Sequence, residues 1–180
     1  RRAIYSAPMS NPDAAPTRPL VVPDAPALIA RAGGALWLSP DGEVEDLTLA
    51  EARPRVARQA PLVCHAPAVA ATLGIPSFAA FDLLELFAFV RPASFCLPTS
   101  RGLADALGLR PPQDAADEAL VLRDAAVALL GRLSRLEARA SRQAARIART
   151  MGSAGWLWSD AVLANLAEDD VAVVDFEVEP

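Results

Sequence analysis

Between Pro61 and Leu130 the sequence sets one very short apolar run before a series of separately punctuated helical segments, and that order admits few folds. The run Pro61-Leu62-Val63-Cys64-His65 is too short for an amphipathic helix, so Leu62 to Cys64 is predicted to be a strand buried on both faces. Pro67 suits the first turn of a following helix and Gly74 its end. The i, i+3, i+4 apolar spacing predicts a second helix from Asp82 to Val90, with Asp82 as its N-cap. Thr99 caps a third, which Gly108 ends, and Asp114 to Asp117 open a long fourth that runs on to Thr150.

Partners for the lone strand come from upstream. Ala35 to Leu38 is predicted as a strand, Pro40-Asp41-Gly42 as a tight turn and Glu43 to Leu47 as the returning strand. Before them, Asp24 and Pro26 predict a short helix from Ala27 to Ala32, stopped by Gly33-Gly34. After them, Thr48 and Glu51 have capping-box spacing and start a helix to about Gln59, which Pro54 should kink or shorten. Beyond Gly152, Trp156 and Trp158 precede a short helix from Asp160 to Ala167, and Val171 to Val178 reads as a last strand. The class is α/β, a small mixed sheet covered by helices. Its one core should hold Leu36, Leu38, Val63, Leu83, Leu86, Leu103, Leu107, Leu120, Leu129 and Leu133.

The chain of 180 residues, 53% of them hydrophobic, can bury a sizeable core. Residues 1–19, rich in Pro, Ala, Ser and Asn, are expected to be a disordered leader; 20–133 form the folded domain and 134–180 a helical extension and linker. No apolar run approaches a membrane span, and no continuous apolar core follows Arg1 and Arg2, so a cytoplasmic protein with reduced Cys64 and Cys96 is expected. A net charge of −5 gives no general attraction for nucleic acid, so any such binding must come from a local patch. All 17 basic residues are arginine, which excludes a P-loop lysine, a Schiff-base lysine and a lysine general base within these residues.

The order of Leu62 to His65, Phe81-Asp82-Leu83-Leu84-Glu85-Leu86, Leu97 to Leu109 and Arg123-Asp124-Ala125-Ala126 resembles the proofreading-exonuclease family, the DnaQ-like DEDD branch of the ribonuclease H-like fold. That resemblance implies a nuclease that holds two divalent metals on four carboxylates. The chemistry is missing at the matching positions. The first motif, D-x-E, falls on the acid-free run Ala35-Leu36-Trp37-Leu38; the second keeps His65 but has Ala66 and Ala70 in place of its Asn and Asp. The third keeps Asp124 and puts its general-base His at about Ala119. Magnesium needs oxygen ligands, so the resemblance implies no catalytic residue and no metal here, with His65 and Asp124 as relics. Simpler roles also fit the survivors: His65 as a structural histidine at a strand end, Asp124 as a solvated helix residue. Cys64 and His65, as strand neighbours, should point to opposite faces and form no dyad. Asp175-x-Glu177 imitates the first motif at the wrong end of the chain.

Three stretches narrow the resemblance: Gly34 to Glu43, Leu62 to Pro67, and Phe81-Asp82-Leu83-Leu84-Glu85-Leu86-Phe87-Ala88-Phe89-Val90-Arg91-Pro92. They are similar to the N-terminal exonuclease-like region of DinG-type ATP-dependent DNA helicases. The implied partners are helicase motor domains in the same or a neighbouring chain, and ATP and magnesium would belong to that motor, leaving this chain without a cofactor. Arg132, Arg135, Arg139, Arg142, Arg146 and Arg149, spaced 3, 4, 3, 4, 3, would form one stripe on a continuous helix. Leu129, Leu133, Leu136, Ala140, Ile147 and Met151 would form the stripe that packs. The arginines could track single-stranded DNA or seat on an acidic partner surface. The expected function is a non-catalytic accessory domain that binds DNA or regulates a helicase. An active 3′–5′ exonuclease and a protein-interaction module without nucleic-acid binding are the alternatives.

Overall fold

A computed structural model describes residues 19–166. Strands β1 (Ala27–Arg31), β2 (Gly34–Leu38) and β3 (Val44–Leu47) come first, followed by α1 (Leu49–Arg58), β4 (Leu62–Val63), α2 (Ala66–Leu73) and β5 (Phe81–Asp82). The rest of the described chain is helical: α3 (Leu83–Val90), α4 (Ser100–Leu107), α5 (Ala115–Leu133), α6 (Ala138–Ser153) and α7 (Ser159–Asn165). The sheet is mixed, in the order β3-β2-β1-β4-β5. The first three strands form an antiparallel meander, while β4 runs parallel to β1 and β5 parallel to β4.

The expected helix over Ala27 to Ala32 is instead β1. Four consecutive apolar residues suit a strand buried on both faces as well as they suit a helix turn. Here Ala27 and Ile29 enter one buried cluster and Leu28 the other. Gly33-Gly34 is therefore no helix stop: Ala32 and Gly33 turn the chain, and Arg31 pairs with Gly34 to open a hairpin. Gly34 also lets β3 approach, since an added Cβ would lie 2.7 Å from the Leu47 carbonyl oxygen. The expected strands over Ala35–Leu38 and Glu43–Leu47 are present, joined through a Gly42 N–H bond to the Ser39 carbonyl at 3.0 Å.

Alternation along the strands divides the interior into two layers. Ala27, Ile29, Leu36, Leu38 and Leu62 face α3, α5 and buried residues of α6 and α7; Leu28, Ala35, Trp37 and Val63 face Ala52 and Val56 of α1 and Leu73 of α2. A single core for all ten expected residues is thus corrected. Leu36, Leu38, Leu83, Leu86, Leu103, Leu129 and Leu133 share the larger layer, Val63 lies in the other, and Leu107 packs at the margin. Leu120 is 47% exposed on the outer side of α5.

The helix signals hold at most ends. Thr48 and Glu51 make both bonds of the capping box, and Gly74 and Gly108 close α2 and α4 in left-handed conformation. Pro54 does not break α1; it is exposed, so water can satisfy the carbonyl that its missing N–H leaves open. The expected continuous helix to Thr150 is corrected: α5 ends at Leu133 and α6 begins at Ala138 after a turn. The small face of α6, Ser141, Ala145 and Ala148, is the one that becomes buried. An added Cβ at Gly152 would collide with the Ser159 side chain, so α7 packs closely across it. Residues 167–180, including Val171–Val178 and Asp175-x-Glu177, lie outside the described residues, as does nearly all of the 1–19 leader.

Two side chains stitch distant parts together. Trp158, fully buried, donates its indole N–H to the Asp82 carbonyl at 2.8 Å and meets the Phe81 ring edge-on at 5.1 Å, fixing α7 to the sheet. Asn165 accepts from the Val21 N–H at 3.0 Å and donates to the Val21 carbonyl at 2.6 Å, clasping the segment before β1 to the end of α7. No helix among the described residues is long and apolar enough to cross a membrane.

Candidate functional site

The chain order of the sheet reverses at β1, which has β2 on one side and β4 on the other. In open α/β sheets, ligands bind outside the carboxyl ends of strands at such a point. Ile29 and Ala30 of β1, then Cys64 and His65 just past β4, line a cleft of about 300 Å³ there. Its other wall is the start of α4, with Thr99, Ser100 and Arg101, and the side chain of Glu118 from α5.

The strand beside β4 is β1, which reads Ala-Leu-Ile-Ala-Arg and is free of acid; Ala35–Leu38, where the first motif was expected, lies one strand further out in β2. His65 occupies the N-cap position of α2, yet its side chain does not cap the helix. Ala70 is buried on α2, and Asp124 is exposed on α5, outside the cleft. His65 and Asp124 are therefore not brought together. The carboxylate in the cleft is Glu118, which sequence reasoning passed over, and Arg31 holds it in an ion pair at 2.8 Å. Among the described residues no group of three His, Cys, Asp or Glu side chains is placed to hold a metal ion.

Cys64 and His65 both line the cleft, which the alternation argument did not allow. That argument fails because the strand has already ended at Val63. Burial, with smaller repulsions from Cys96, Asp82 and Glu118, pushes the Cys64 thiol up to about 12. At neutral pH it is a protonated thiol and a poor nucleophile. Asp82 is the N-cap expected of it and more. One carboxylate oxygen accepts from the Leu84 and Glu85 N–H groups at 2.9 and 3.3 Å, and the other accepts from Ala66 N at 2.7 Å. It thus ties the starts of α2 and α3 to each other.

The arginine stripe is broken by the turn between α5 and α6. Arg132 lies exposed in the last turn of α5 and Arg135 lies exposed in the connection. Arg139, Arg142, Arg146 and Arg149 keep their spacing on α6 and span about 80° of its circumference. Arg139 and Arg146 are exposed, whereas Arg142 and Arg149 are half-buried and engaged. The neighbouring residues expected to pack, Leu136, Ala140, Ile147 and Met151, instead line an open apolar groove of about 800 Å³. Phe89 and Val90 of α3, Trp156 and Arg132 form its other sides, with the Phe89 and Trp156 rings 5.0 Å apart and tilted by 38°. At one end, burial and then repulsion from Asp82 raise the Glu85 carboxyl above the ordinary glutamate range. Comparison of the chain with family profiles, characterised proteins and solved structures finds no match.

Proposed function

We propose that this chain is a non-catalytic, ribonuclease H-like accessory domain that binds DNA or regulates an attached or partner ATP-dependent helicase. The observation that supports the fold half of this reading is the mixed five-strand sheet, in the order β3-β2-β1-β4-β5, covered by helices, the class of sheet that the exonuclease resemblance implies. The cleft residues support the non-catalytic half. A two-metal nuclease needs several converging carboxylates, whereas this cleft has Glu118, already paired with Arg31. The arginines of α6, with Arg132 and Arg135 near its start, support contact with phosphates or with an acidic motor surface. Cofactor chemistry, ATP hydrolysis with magnesium, would reside in the motor.

The test is binding of labelled single-stranded DNA across a salt series, with magnesium and manganese present. We expect no degradation, and affinity that falls as salt rises, with about −0.7 in log–log slope for each phosphate contact. Replacing Arg135, Arg139, Arg142 and Arg146 with glutamine keeps helix propensity and should flatten that slope. Metal-dependent cleavage abolished by Asp124→Ala would restore the exonuclease reading. The apolar groove favours a second reading, a protein-interaction module. That reading prevails if the glutamine variant binds DNA and supports unwinding as the parent does, while Ile147→Glu abolishes association with the motor.

A further inference from the structure

The groove beside α6 leaves large apolar side chains in water. Leu136 and Ile147 are 37% and 43% exposed, and Ala140, Met151, Phe89 and Trp156 continue the same surface around a volume of about 800 Å³. An exposed apolar surface of this extent with a charged rim marks a contact site. The rim here is basic. Arg132 lines the groove, and Arg135 is exposed next to Leu136 in the chain. Arg139 and Arg146, also exposed, lie about 40–60° round α6 from Gln143, which lines the groove. Against these arginines stand Glu85 at one end and Glu137 in the connection before α6.

The chain itself carries a segment of complementary chemistry. Residues 167–180, outside the described residues, contain six acids and no arginine. Val174, Phe176 and Val178 alternate there with Asp175, Glu177 and Glu179, so an extended backbone sets apolar side chains on one face and carboxylates on the other. The segment also has the reach. Leu166 follows α7, which starts three residues after Trp156 on the groove wall. Helical and extended rises put Leu166 within roughly 22 Å of Trp156, while the chain from Leu166 to Val174 spans about 26 Å. A strand could instead extend the sheet, whose edges are β3 and β5. β3 carries Glu45 and Asp46, which would set like charges opposite the acids, and β5 has only two residues to offer. Charge therefore decides for the groove.

We propose that residues 171–178 lie extended in the α6 groove of their own chain, with Val174, Phe176 and Val178 on its apolar floor and the intervening acids toward the arginines. The groove is open, so the backbone groups on the outer side of the segment keep their water. Tethering gives the segment an effective concentration of about millimolar order, and a modest contact is enough to hold it. The proposal does not rest on the accessory-domain reading, although the docked acids and a DNA strand would compete for Arg132 and Arg139.

The experiment is methyl NMR of the 180-residue chain. We expect nuclear Overhauser contacts between the Ile147 methyl and the Phe176 ring in dilute solution, and none between chains when labelled and unlabelled protein are mixed. Phe176→Ala should move the Ile147 and Leu136 methyl resonances to their open positions. Read from those shifts, it should weaken docking about tenfold or more, the worth of a buried phenyl ring. Methyls of Leu28 and Val63, in the other layer, should stay where they were. Arg132→Gln and Arg139→Gln should each weaken docking about twofold to fivefold, as loss of an exposed ion pair does. Absence of the Phe176 contact, with Ile147 unmoved by Phe176→Ala, overturns the proposal. Contacts found only between chains also overturn it and identify a second copy as the occupant. Should Phe176→Ala fail to fold, the contacts of the parent chain decide the question alone.

Discussion

Two carboxylates at the head of α3 sit three residues apart and do opposite things. Asp82 is buried and accepts from three backbone N–H groups, at the starts of both α2 and α3. Asp82→Ala leaves those donors without their partner, and we expect a loss of about 2–4 kcal/mol in urea unfolding. Glu85 is raised instead, chiefly by burial and then by Asp82, so its folded state holds the proton more tightly than the unfolded chain does. The sign follows from linkage: stability is highest with Glu85 protonated and declines as pH rises from about 4.5 through the raised value. Glu85→Gln should therefore match the parent in mild acid and melt higher than it at neutral pH, as thermal scans at several pH values would show. The cap role of Asp82 was legible in the sequence, because a short carboxylate before an i, i+3, i+4 run has few other uses. Its bond to Ala66 was not, since that contact depends on β5 lying beside β4.

At the scale of elements, what could be read were the features that carry their own local chemistry. The capping box at Thr48, the left-handed glycines at 74 and 108, and the cap at Thr99 each act within a few residues and appear as expected. Elements decided by distant partners were misjudged. β1 is a strand because β2 and β4 flank it, and β5 has two residues that no periodicity can mark. The turn at Ser134–Glu137 contains neither glycine nor proline, and α5 stops there so that the small face of α6 can be buried. Gly131, in the last turns of α5, has open space where a Cβ would go. Gly131→Ala should raise stability by about 0.5–1 kcal/mol, measurable by chemical denaturation, because it restricts the unfolded chain and favours the helix. The cleft was half legible: His65 was singled out, whereas Ser100, Arg101 and Glu118 belong to segments with no motif to announce them.

Across the whole molecule, the sheet separates two layers and Trp158 binds the C-terminal helices to its parallel edge. Trp158→Phe keeps much of the ring packing but leaves the Asp82 carbonyl without its indole donor. A loss of about 1–3 kcal/mol in equilibrium unfolding is expected, with α6 and α7 showing faster amide exchange than the sheet. The α/β class followed from the spacing of helical segments, while the two-layer interior follows from alternation once strand pairing is known. The Asn165 clasp has a mechanical consequence. Val21 and Asn165 are 144 positions apart in the chain and share two hydrogen bonds, so the polypeptide arrives and departs at one corner of the domain. Tension drawn through those two points peels the corner open one bond at a time and does not shear the strands past each other. A body held this way can hang from a longer chain like a pendant, adding almost nothing to that chain's length until Asn165 lets go.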